Sequence, residues 1–327
     1  MKCLLVALCL LALAAPATTA GAAARGIEGS WTAERSDKHP DAIQFSLHTG
    51  KNQQHGSSFD RAAFDGLTAE QVRSSTAVPV QFELVRESGT IAFEGTFRDG
   101  HGAGQFAFVS NPDYVKALGR LGVPLEKGDP QEQLFTLTML DVSTAFIRSM
   151  QAIGYDVPLD KYTEFRIFDV DPDYVAEMAK IGFPKLSADK LVETRIHGAT
   201  PEYIRQMRAA GEDLTLDKYI ESRIFQVTPE FAAEMAREGY PDLDRDVLVQ
   251  FRIHGVTTGF IEELRTLGYS RVPAEKLVEM RIHGVTPEFI RRLDAAGYHK
   301  VPIDKMVQMR IFDIDPEMVK ALDKDGK

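Results

Sequence analysis

The sequence predicts an α+β chain: a small antiparallel β-rich domain over residues 26–110, then over residues 111–327 an α-solenoid of helix pairs with a period of 28–29 residues. Three observations carry this. A similar unit begins at Asn111, Ser143, Asp171, Thr200, Thr228, Thr257, Thr286 and Asp315, with successive starts 32, 28, 29, 28, 29, 29 and 29 residues apart. A glycine stands eleven residues after every start. Between about residues 26 and 110 the apolar positions alternate instead of recurring at helical spacing.

The chain opens with Met1-Lys2, an apolar run from Cys3 to Ala15, then Pro16 and a tail of small residues. This looks like a secretory signal over residues 1–24, with cleavage after Ala20 or Ala24; an uncleaved anchor is the alternative. It implies export to a periplasmic or extracellular space. Both cysteines, Cys3 and Cys9, lie inside it, so the mature chain is expected to have no disulfide and no cysteine nucleophile. No later stretch is long and apolar enough to span a bilayer. With 38 Lys+Arg against 48 Asp+Glu the formal net charge is −10, which argues against a nucleic-acid partner because binding phosphates takes a broad cationic surface.

In the next segment Val80, Phe82 and Leu84 alternate with Gln81 and Glu83. Ile91, Phe93 and Phe97 follow Ser88-Gly89, and Phe106 and Phe108 follow Gly100-His101-Gly102-Ala103-Gly104, read here as a turn. These are three antiparallel strands, preceded by strands near Trp31 and from Ile43 to Leu47. Thr68-Ala69-Glu70-Gln71 has the spacing of a capping box for a short covering helix.

Each repeat opens with helix-start chemistry. Thr286 can cap free amides, Pro287 has no amide to waste at the first helical position, and Glu288 suits the positive helix end. Val285 and Ile290 are placed as a hydrophobic staple. The helix ends at Gly122, Gly154, Gly182, Gly211, Gly239, Gly268, Gly297 and Gly326. Each glycine follows by four residues Leu118, Met150, Met178, Met207, Met235, Leu264, Leu293 or Leu322, and most precede a bulky apolar residue such as Tyr155 or Tyr240. That is a Schellman ending, from which Glu212 departs. The second half, as in Pro273 to Gly284, reads as a shorter helix in which Leu277, Val278 and Ile282 recur at helical spacing, although Arg-Ile-His/Phe could also fray into extended chain. Seven pairs thus run from Asn111 to Ile314, with Asp315 to Lys327 as a closing helix. Such pairs cannot bury their faces alone, so neighbours must stack.

Two columns of the repeat bear on function. Arg166, Arg195, Arg223, Arg252, Arg281 and Arg310 form one ladder. Each guanidinium either ties its helix end to nearby carbonyls or to an acid such as Glu288, or lines a groove for an acidic peptide or anionic polymer. His197, His254 and His283 share a column with Phe168, Phe225 and Phe312, so a flat ring for packing explains them better than a metal. Gly-x-Ser-x-Gly, a Walker loop, a dinucleotide fingerprint and H-E-x-x-H are all missing, and no cofactor is expected.

The stretch Arg281 to Ile290, Arg-Ile-His-Gly-Val-Thr-Pro-Glu-Phe-Ile, resembles repeats of bacterial exported proteins. Among these are the extracytoplasmic tails of membrane zinc peptidases related to the β-lactam-sensing receptors. Gly89 to Phe97, leading into Gly102-Ala103-Gly104, is similar to the segment preceding those repeats. The peptidases carry H-E-x-x-H on membrane helices and this chain has neither, so the resemblance implies sensing or scaffolding, not peptidase activity. The expected function is that of a non-enzymatic exported protein that binds another protein or a peptide. The alternatives are a small-ligand or envelope-polymer binder using the apolar face near Trp31, Phe82 and Phe93, and an unrecognised hydrolase.

Overall fold

Alternation of apolar and polar side chains produces six strands in the computed structural model, which describes residues 26–39, 41–50 and 53–315. The signal segment, and the closing helix with its Leu322 and Gly326, lie outside the described residues. The strands are β1 (Glu28–Arg35), β2 (Ala42–Thr49), β3 (Gln53–Asp60), β4 (Val78–Arg86), β5 (Gly89–Arg98) and β6 (His101–Ser110). They form one antiparallel sheet in the order β3-β2-β1-β6-β5-β4. β3 was not expected from the sequence. Its residues Gln-Gln-His-Gly-Ser-Ser-Phe-Asp have no apolar alternation, and it lies at the sheet edge, laddered only to β2.

The glycine run also reads differently in space. The turn is Asp99-Gly100, both left-handed with φ of 52° and 81°, and His101 onward is already strand β6. Gly95 and Gly102 make room for Trp31, and Gly104 for the backbone of β5. A Cβ on Gly95 or Gly102 would lie 2.7 Å from the indole ring, and one on Gly104 would lie 1.9 Å from the Glu94 carbonyl oxygen. The indole Nε1 donates to the carbonyls of Glu94 (3.2 Å) and Gln105 (3.0 Å).

Around Trp31 stand Phe45, Phe82, Phe93 and Phe97, with ring centroids 5.5 to 6.1 Å away. Trp31 on β1 and Phe82 on β4 are three strand steps apart, about 14 Å in a flat sheet, so this contact means the sheet is strongly curled. Its ends meet through one bridge, where Asp65, just after β3, exchanges backbone hydrogen bonds of 2.9 Å with Glu83 of β4. α1 (Ala69–Arg73) covers the sheet with Val72, and both bonds of the Thr68–Gln71 capping box are made.

Seven helix pairs follow. They are α2 (Pro112–Arg120) with α3 (Pro130–Met139), α4 (Thr144–Ala152) with α5 (Leu159–Ile167), and α6 (Pro172–Lys180) with α7 (Ala188–Ile196). Then come α8 (Pro201–Ala209) with α9 (Leu216–Ile224), and α10 (Pro229–Arg237) with α11 (Arg245–His254). The last are α12 (Thr258–Thr266) with α13 (Ala274–Ile282), and α14 (Pro287–Ala296) with α15 (Ile303–Ile311). Two compact units divide the chain, one ending at Thr163 and the other beginning at Glu164.

Asn111, Ser143, Asp171, Thr200, Thr228, Thr257 and Thr286 are each the N-cap of the first helix, their side chains accepting from an amide in the first turn. The first helices end in Schellman bonds, such as Tyr240 N–H to Met235 O and Tyr269 N–H to Leu264 O. Glu212 keeps the backbone bond, to Met207 O at 3.0 Å, although its side chain is not apolar. The second helices do not fray. They run through the isoleucine and turn over at a left-handed residue, Asp169, Gly198, Gln226, Gly255, Gly284 or Asp313.

In the unit that ends at Thr163, α3 packs on the sheet. Phe135 stacks on Phe106 at 5.7 Å, and Thr138, in the column that carries arginine elsewhere, bonds Ser88 through the two hydroxyls at 2.7 Å. In the unit that starts at Glu164, α11 lies against α13, α13 against α15 and α12 against α14. Cap tyrosines reinforce this stacking, Tyr240 donating to Val272 O (2.6 Å) and Tyr269 to Val301 O (2.8 Å). One joint is built otherwise. Arg245 takes the place of an apolar residue at the start of α11, and its guanidinium meets the Glu212 carboxylate at 2.6 Å while donating to Val227 O (3.0 Å) and Ser222 Oγ (3.2 Å). Two departures from the repeat therefore compensate each other.

Candidate interaction surface

From α5 onward, the end of each second helix places three side chains in sequence, arginine, isoleucine and a ring. The arginine lies over the aromatic residue at the third position of its own repeat's first helix. Arg195 sits over Tyr174 (3.9 Å to the ring centroid), Arg223 over Tyr203 (4.9 Å), Arg252 over Phe231 (3.7 Å), Arg281 over Phe260 (5.1 Å) and Arg310 over Phe289 (5.3 Å). Burial pushes the Tyr174 and Tyr203 hydroxyls above their ordinary range, with Arg195 and Arg223 pulling the other way, so both rings stay neutral.

The same guanidiniums reach back to the preceding repeat. Arg195 donates to Asp169 O, Arg223 to His197 O at 3.4 Å and Arg281 to His254 O at 3.0 Å. A Cβ on Gly198 or Gly255 would lie 2.9 Å from the Nη2 of Arg223 or Arg281, and one on Gly284 3.3 Å from that of Arg310. Arg223 and Arg252 are exposed; Arg166, Arg195, Arg281 and Arg310 are half-buried. The suggested acid, Glu288, pairs instead with Arg291.

Ile282, which recurs at helical spacing with Leu277 and Val278, does not belong to the buried face of α13; Leu277 and Met280 fill that face. Ile167, Ile196, Ile224, Ile253, Ile282 and Ile311 are each between 46% and 53% exposed. They form a column of large apolar side chains in water, one per repeat. The period that revealed the arginines held this signal too, but Ile282 lies five residues after Leu277, and sequence spacing alone could not show which side of the helix it takes.

The histidines His197, His254 and His283 are half-buried in the ring position, where Phe225 packs on the apolar core. Among the described residues no group of His, Cys, Asp or Glu is placed to hold a metal ion, and no helix is long and apolar enough to cross a membrane. The rings of Trp31, Phe82 and Phe93 are buried against one another. A cleft of about 770 Å³ opens on the curled sheet, lined by Glu28, Gln81, Glu83 and Glu94 and by Phe82 and Phe93 among others. No family model, curated protein or solved structure matches the chain.

Proposed function

We propose that this chain is an exported, non-enzymatic interaction scaffold whose repeats present the arginine-isoleucine stripe to another protein. The observation that carries the reading is the register of six half-exposed isoleucines, five of them beside an arginine already fixed by a ring. Leaving large apolar side chains in water at one fixed position of six successive repeats gains nothing for the fold, whereas repeat proteins bind through such extended faces. The resemblance of Arg281 to Ile290 to extracytoplasmic repeats supports the same reading.

The test is a photo-reactive amino acid placed at position 224 or 253 in the native host. Adducts with one protein, not given by the same group at the solvent-exposed Glu262 on α12, are the expected result. Equal labelling from all three positions would overturn the proposal.

A further inference from the structure

We infer that the stripe is occupied by an extended acidic peptide carrying an apolar side chain at every third residue. This rests on the interaction reading above and adds the chemistry of the ligand.

Spacing comes first. The second helices α11, α13 and α15 lie side by side, which sets about 8–10 Å between their axes and hence the step from one isoleucine-bearing helix to the next. A β-strand presents the same face every two residues, about 6.7 Å, and an α-helix repeats its face closely only after seven residues, about 10.5 Å. A polyproline II chain turns once in three residues and rises about 9.3 Å in doing so. Its period alone falls inside the spacing of the helices, so one side chain can meet one repeat.

Charge comes second. The carboxylates preceding the isoleucines are already engaged. Glu193 is held by Lys190 (2.6 Å), Glu221 by Lys218 (2.8 Å) and Glu279 by Lys276 (2.6 Å). Each lysine also bridges to the next repeat, at Asp217, Asp246 and Asp304 respectively. Arg223, Arg252 and Arg281 on the other side rest on rings and carbonyls, neither of which cancels a positive charge. Asp169 and Asp313 take the left-handed position only in the outer repeats; Gly198, Gln226, Gly255 and Gly284 occupy it between them. The middle of the stripe is therefore apolar and cationic inside a chain of net charge −10. A guanidinium pinned on one edge keeps N–H donors for a carboxylate, and its order is already established before the ligand arrives.

The probe is a fluorescent peptide of about 18 residues, long enough for six contacts, made of Leu-Pro-Asp repeats. Its companions are a Leu-Pro-Lys peptide, a peptide of the first composition with the leucines gathered in blocks, and a helical peptide with leucine every seventh residue. Anisotropy is measured on the full chain. The expected result is saturable binding of the Leu-Pro-Asp peptide that weakens with salt, with each companion weaker by about tenfold or more. Ile224→Asp combined with Ile253→Asp should reduce it by at least about tenfold with an unchanged thermal midpoint, because both side chains are exposed. Arg252→Gln gives a second variant that tests the charge.

Equal binding of the block, lysine or heptad peptide, or no binding of any, overturns the inference. So does sedimentation showing that the stripe holds a second copy, with dimers dissolved by Ile253→Asp. If the photo-reactive residue at position 253 captures a protein while the Leu-Pro-Asp peptide fails to bind, the interaction reading stands and the peptide inference falls. If both fail, both fall.

Discussion

Around Trp31 four rings from three other strands converge on one indole, whereas between α11 and α15 like helices of successive repeats lie against one another, α11 on α13, α13 on α15 and α12 on α14. The first arrangement joins residues far apart in sequence, and its glycines fit the shape of one particular side chain. The second joins residues about one repeat apart, and the loss of one contact leaves the others intact. Order in the sheet is concentrated, and order in the repeats is shared.

The largest expected effect tests the concentrated half. Gly104→Val puts a side chain into the Glu94 carbonyl, so β5 and β6 cannot keep their ladder, and a loss of more than about 4 kcal/mol is expected. The protein has a single tryptophan, Trp31, so its emission should shift to the red while the helical circular dichroism stays largely in place. Loss of both signals together would show that the repeats lean on the sheet. Next, Met235→Ala empties a fully buried position of α10 and should cost about 2–5 kcal/mol, read as a lower helical midpoint with the Trp31 emission transition unmoved.

A smaller effect is expected at the one joint that departs from the pattern. The side chains of Glu212 and Arg245 are 27% and 10% exposed, so removing either partner leaves a poorly solvated charge. A double-mutant cycle with Glu212→Ala and Arg245→Ala should show a coupling of about 1–3 kcal/mol in chemical denaturation. Additive losses would mean that the pair contributes nothing beyond its separate packing.

The smallest effect is a pH dependence. The Glu230 and Glu288 carboxylates, bonded to their own amides and to the Thr228 and Thr286 hydroxyls, are held below the ordinary value of 4.5. A depressed folded value means that their contribution is complete above 4.5 and disappears as pH falls through the lowered value. Melts between pH 6 and about pH 3 should lose midpoint, and Glu230→Gln with Glu288→Gln should flatten that limb slightly.

Helix starts were legible because capping is local; Thr228 and its first turn lie within four residues of one another. β3 was not, since an edge strand with only Phe59 for an apolar signal leaves no pattern. The glycines before Phe106 were misread because a glycine needed for close packing looks the same in sequence as one needed for a turn. In the candidate surface the arginine column was visible as a period. Its ring partners, such as Tyr203 beneath Arg223, come from the other helix of the repeat and needed the fold. Glu212 was recognised as a departure, but only space shows that Arg245 answers it.

That matched pair constrains how this array could change length. Duplication or excision at most joints would bring together surfaces already alike, but a cut between Glu212 and Arg245 that removes one member strands an ion beside a neighbour shaped for a hydrocarbon. The repeats beginning at Thr200 and Thr228 are thus inherited as a couple, and recombination within this gene should tolerate breakpoints on either side of them better than between them.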